Sequence, residues 1–220
     1  MTLGELIAQA RLELDDVEED YLWSDPELIS YANEAQNQAC RRSRLIIDSS
    51  TVEICEIPVI ANTAAYPLDD RIIAVRNVTL DGKSKGLTGH TVSELEECVS
   101  NWAVQTGEPI GIATDYETGK IRLFPIPLVD GLVRLRVVRM PLVELVALND
   151  VPEIKKHYHR SLIHWIKHMA YLKKDADTLD KSASAESLAL FEMEFGKPKP
   201  AYNIEFELTN TMFGNLDGSW

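Results

Sequence analysis

The apolar residues of this 220-residue chain change their period twice, and that constrains the fold more than any other feature. Near the start, Leu3, Leu6, Ile7, Ala10 and Leu14 recur at helical spacing, and Leu28, Ala32, Ala35 and Ala39 do so again. From about Asp48 to Leu148 the helical period is lost and β-branched residues dominate. There GLVRLRVVRMP sets Val133, Leu135 and Val137 against Arg134 and Arg136, the two-residue alternation of a half-buried strand. Helical spacing then returns in Ile154, Tyr158, Leu162, Trp165, Met169 and Leu172, and in Leu188, Phe191 and Phe195.

Local punctuation sharpens these boundaries. Thr2 with Glu5 fits a capping box for the first helix. Asp15–Trp23 forms an acidic connection, after which Ser24 or Asp25 caps a second helix with Pro26 in its first turn, running to about Leu45. TVEICEIPVI reads as a strand, Asp81-Gly82 as a turn, Thr91–Val99 as one short helix, and Thr118-Gly119 or Gly119-Lys120 as a hairpin turn. Asn149 or Asp150 is expected to cap a long helix reaching Lys174, and Gly196 to stop a last helix begun at Asp180. The expected fold class is α+β. A helical domain of residues 1–47 and 148–196 carries an inserted antiparallel β-sandwich or barrel-like domain, residues 48–147, of about six strands. Residues 197–220 form an extended C-terminal arm.

Charge excludes some functions. The net charge of −13 opposes a protein that holds nucleic acid by neutralising phosphates, though an acidic wall suits DNA that must slide past without adsorbing. Arg41, Arg42 and Arg44 cluster at a helix end, where cations complement the dipole. Cys40, Cys55 and Cys98 have no metal-ligand spacing and are expected to be buried free thiols. No apolar run approaches a membrane span, and the acidic, amphipathic start is no secretory signal, so folding in a cytoplasm is expected.

Three histidines are the main candidates for chemistry. His157, His164 and His168 fall on neighbouring positions of one helical wheel, and the last two are spaced i, i+4 as in zinc-protease helices. That motif needs glutamate after its first histidine, and Trp165 stands there instead. A packed or interfacial role is therefore expected, with a metal hydrolase as the alternative. Acidic pairs such as Glu96-Glu97 lie in solvated stretches, and GEPIG at 107–111 frames a turn without a nucleotide fingerprint. The arm carries Tyr202, Phe206, Met212, Phe213 and Trp220 among polar residues. Disordered tails are polar, so these side chains call for a partner surface on the same domain or on a neighbour.

Four segments, in order, resemble the head-to-tail adaptor (connector, or head-completion) proteins of tailed bacteriophages. They are YLWSDPELISYANEAQNQACRRSRLI; AAYPLDDRIIAVRNVTLDGK; NWAVQTGEPIGIATDYETGKIRLFPIP; and VPEIKKHYHRSLIHWIKHMAY with its later FEMEFG. The likeness covers about residues 3 to 196 and departs from the family's Y-x-L-P strand in reading Tyr66-Pro67-Leu68. It implies a structural virion protein of the phage neck, with no catalysis, no cofactor and no membrane. Its implied partners are the portal protein, the tail nozzle or tail tube protein, and copies of itself in a twelve-subunit ring through which genome DNA passes. A tail-side tubular or head-closure protein is the other reading within the same class.

Overall fold

The computed structural model describes residues 1–175 and 177–200. The chain is α+β. The arm candidates Tyr202, Phe206, Met212, Phe213 and Trp220 lie outside the described residues. The rest divides into two compact units, Met1–Ile46 with Met140–Pro198, and Ile47–Arg139.

In the first unit, α1 (Leu3–Leu14) opens on the capping box of Thr2 and Glu5. Its apolar stripe is buried, with Leu3, Leu6 and Ala10 fully enclosed. Helix α2 (Asp25–Ser43) follows, where the Glu27 carboxylate accepts from the Ser24 N–H and hydroxyl, both at 2.8 Å. Its stripe of Leu28, Ala32, Ala35 and Ala39 is wholly buried, small residues letting the neighbouring helix approach closely. Helix α5 (Leu162–Ala170) packs against α1, α2 and α6 (Lys181–Phe195), so it forms the centre of the unit. The Trp23 indole donates to the Ala170 carbonyl at 3.0 Å, fixing the α1–α2 connection onto the end of α5. Phe191 lies between Trp165 and Phe195, with ring centroids 5.1 and 4.6 Å away.

The stretch before α5 departs from the expected long helix. Residues 149–161 hold only a 3-10 turn, Lys156–Tyr158. Asp150 does not cap forward; its carboxylate turns back to accept the Val146 and Ala147 N–H groups, each at 2.8 Å. The Leu148 and Asp150 carbonyls accept from Gly4 and Leu3, and the Glu153 N–H donates to Gln36 Oε1 at 2.7 Å. Tertiary partners thus take the groups that a helix would have used. The helix also ends early, and Leu172 lies exposed instead of on the inner face.

In the second unit, β10 (Gly131–Arg139) is the spine of one sheet, pairing with β1 (Ile46–Asp48), β2 (Glu56–Val59) and β4 (Ile72–Leu80). Val133, Leu135 and Val137 are buried while Arg134 and Arg136 are exposed, as the alternation requires. Register shifts against β4 after Arg136 and after Val138 break the pattern, and Val138 and Arg139 are buried as well. A second sheet runs β3 (Ala65–Pro67), β8 (Lys120–Phe124), β7 (Gly111–Ala113) and β5 (Thr88–Gly89). Strands β6 (Thr106–Gly107) and β9 (Ile126–Pro127) form a third. Pro67 is tolerated because β3 is an edge strand.

Three expectations are corrected here. The strands are more numerous than six, and they are not all antiparallel: β5 pairs with β7, and β6 with β9, in parallel. The crossover between β5 and β7 runs through α4 (Val92–Cys98) and a 3-10 turn at Trp102–Val104, which returns the chain in the same direction. TVEICEIPVI is not one strand. Its first half is the single helical turn α3 (Val52–Cys55), set by the Asp48 carboxylate gathering the Ser50 and Thr51 N–H groups. Gly111 belongs to strand pairing, since a Cβ there would sit 2.7 Å from His90 and 3.0 Å from the Thr88 carbonyl.

Candidate assembly site

The three expected histidines do not share one helix. His157 lies exposed in the 3-10 turn, its ring tilted against that of Tyr158 with centroids 4.0 Å apart. His168 is held on α5 by Ser184, its Nδ1 lying 2.8 Å from the hydroxyl, so it ties α5 to α6. His164 is half-buried; burial pulls its pKa down, while Glu13 opposes the shift. His159, which spacing arguments passed over, is the fully buried one, with Nε2 2.8 Å from the Ile154 carbonyl and Nδ1 against the Met1 backbone. Among the described residues no group of three or more His, Cys, Asp or Glu is placed to hold a metal ion. Among them, too, no helix is long and apolar enough to cross a membrane. Of the cysteines, Cys40 and Cys55 are buried free thiols as expected, but Cys98 is exposed, at the solvent end of the short helix α4.

Each unit holds one buried charge node. In the first, Arg11 pairs with the buried Asp16 and donates to the Trp23 carbonyl at 2.9 Å and Asp25 at 2.7 Å. The Asp16 carboxylate also accepts the Leu22 N–H at 2.8 Å, so one ion pair ties together the two ends of the acidic connection. In the second unit, Asp48 meets Arg139 at 2.6 Å, both nearly inaccessible. Burial pushes the Asp48 carboxyl up, but the Thr51 hydroxyl, the Ser50 and Thr51 N–H groups and Arg139 together hold it well below the carboxylate range. Asp69 is drawn down to about 2, chiefly by hydrogen bonds from Arg71. Arg42 does more than complement a dipole: it lies over the Trp165 and Phe191 rings at 5.1 and 5.2 Å and donates to the Gly196 carbonyl.

Elsewhere in the first unit, hydrogen-bonded backbone carries exposed apolar side chains. Between β10 and the 3-10 turn, residues 142–151 form an irregular connection in the first unit. Asn33 brackets Leu145 with two hydrogen bonds, Nδ2 to the carbonyl at 2.8 Å and the N–H to Oδ1 at 2.7 Å. Asp150 holds residues 146 and 147, and the Glu153 carboxylate accepts from Leu142 at 2.9 Å. Yet Val143 and Val146 are 77% and 72% exposed, and Leu148 and Val151 also face solvent. The connection thus presents aliphatic side chains to water on hydrogen-bonded backbone. The sequence carried no distinct signal for it, since Asn33 is one of several polar residues on α2.

A protein-family comparison decides the class. The family model for the SU10 adaptor protein matches residues 1–203. The chain belongs to the SU10 adaptor family. It is therefore a structural protein of the bacteriophage head-to-tail connection, as the four resembling segments implied. The adaptor match embraces both units and the exposed 142–151 connection. No curated protein matches the adaptor chain.

Proposed function

We propose that this protein is a ring-forming subunit of the phage neck that joins the portal to the tail and lines the channel through which the genome passes. Membership of the adaptor family over residues 1–203 carries this reading. The helical unit, built from the two ends of the chain with the β segment inserted as a sandwich-like domain, supplies the ring contacts. The fixed connection bearing Val143 and Val146 is one contact with a neighbouring subunit or the portal. The C-terminal segment, with Tyr202, Phe206, Met212, Phe213 and Trp220, docks on the portal or a neighbour. His157 and the α5 histidines serve packing and interfaces, without metal or catalysis. The acidic chain lets DNA pass without sequence-specific binding.

Imaging the protein mixed with its genome's portal protein tests the proposal. Twelve-subunit rings stacked on the narrow end of the portal are expected. A six-subunit ring without portal contact would instead make it a tail-side tube or closure protein. Stoichiometric zinc or iron in purified protein would favour the hydrolase reading. Deletion of residues 201–220 is expected to abolish or sharply weaken portal association.

A further inference from the structure

One edge of the β10 sheet is open. Among the described residues β4 pairs only with β10, apart from a bridge between Thr79 and Gly86 beside the Leu87 N–H to Val78 carbonyl bond. Among the described residues no strand therefore lies beside its outer edge from Ile73 to Asn77. Unpaired strand edges are templates for another strand. A cleft of about 490 Å³ runs along this edge, with Leu68, Ile73 and Val75 on one side and the β7–β8 connection on the other.

Three of the four acids lining the cleft are already engaged, the exposed Asp70 being the exception. Asp69 pairs with Arg71 at 2.8 Å and Glu117 with Lys120 at 2.6 Å, while Asp115 accepts the Val92 N–H. Arg76, on β4 itself, and Arg136, on the adjoining strand, are exposed, and neither has an ion pair among the described residues. The edge thus offers backbone groups, an apolar cleft and free positive charge.

One segment of the chain matches that offer. Residues 202–208, YNIEFEL, alternate strictly: Tyr202, Ile204, Phe206 and Leu208 against Asn203, Glu205 and Glu207. Apolar residues every second position make a strand with one face to bury, and this strand's other face is acidic. From the sequence and this edge we infer that residues 202–208 pair with the outer edge of β4 in the same chain, apolar side chains in the cleft and Glu205 or Glu207 toward Arg76 and Arg136. At high dilution a segment of the same chain outcompetes a second copy's for one edge, provided that the linker 196–201 spans the distance. The inference rests on the proposed docking role but reassigns Tyr202 and Phe206 from the partner to their own chain. The first part of the arm is anchored on its own chain, and Met212, Phe213 and Trp220 beyond it reach the partner.

The test uses the full-length protein alone, so portal binding can succeed or fail separately. In a Cys98→Ser background, Arg76→Cys is combined with Glu205→Cys, or with Glu207→Cys, and treated at high dilution with a short bismaleimide. A single-chain product with the two peptides linked is expected from at least one pair. A linked dimer would place a second copy's segment on the edge and overturn the inference, as would no link from either pair. Amide hydrogen exchange supplies an independent reading. Ending the chain at Pro200 should speed exchange within residues 73–77 by roughly tenfold or more while leaving α5 unchanged. Equal exchange in the two proteins would also overturn it.

Discussion

At the scale of single residues, stability rests on two buried ion pairs whose partners cannot be removed singly. Arg11 is 7% exposed and satisfies three acceptors, so Arg11→Met leaves Asp16 buried without its cation. The expected loss is about 3–5 kcal/mol, read as a lower urea midpoint. Asp48 adds a pH dependence. Its folded pKa lies below the unfolded value of about 3.9, so its contribution is complete above that value and is lost as pH falls toward the folded one. Acid unfolding of the wild type should therefore show a limb below about pH 4 that Asp48→Asn flattens. At pH 7 the same substitution is expected to cost about 3 kcal/mol, because it removes the charge that Arg139 meets in the buried Asp48–Arg139 pair.

At the scale of elements, caps and backbone-holding side chains decide where helices begin and what loops present. Asp180 accepts from the Ser182 and Ala183 N–H groups at 2.9 and 3.0 Å, fixing the start of α6. Asp180→Ala should lower stability by about 1 kcal/mol, measurable by thermal or urea unfolding. Gly196 ends the same helix at φ 80°, a conformation that other residues adopt only with strain. The 142–151 connection behaves differently. Changing both Val143 and Val146 to Ser should move stability by no more than about 0.5 kcal/mol, since neither side chain is packed. The same double change is expected to weaken assembly on the portal severalfold in a pull-down titration. Unaltered assembly would remove this connection from the contact surface.

At the scale of the whole molecule, the chain combines a compact helical unit, a mixed β unit and a net charge of −13. Duplex DNA should show no saturable anisotropy change with the protein even at roughly 20 mM salt, where electrostatic adsorption is strongest. Tight binding there would contradict an acidic channel wall. The parallel pairings β5–β7 and β6–β9 also show that this β unit cannot be drawn as a simple meander of hairpins.

The sequence by itself determined the α1, α2 and α6 boundaries to within about two residues, the facing of β10 up to Val137, and the family. Each of these is a local pattern: a capping residue, a period, or a motif that survives wherever the chain lies. Only the tertiary structure decided the rest. Whether Asp150 caps forward or backward depends on α1 taking its carbonyl, and no local rule records that competition. The one-turn helix at Val52–Cys55 exists because Asp48, itself held by Arg139 ninety-one positions away, gathers the backbone around it. His159 was passed over for the same reason. Its spacing is unremarkable, and its burial arises from groups at opposite ends of the sequence meeting around one ring.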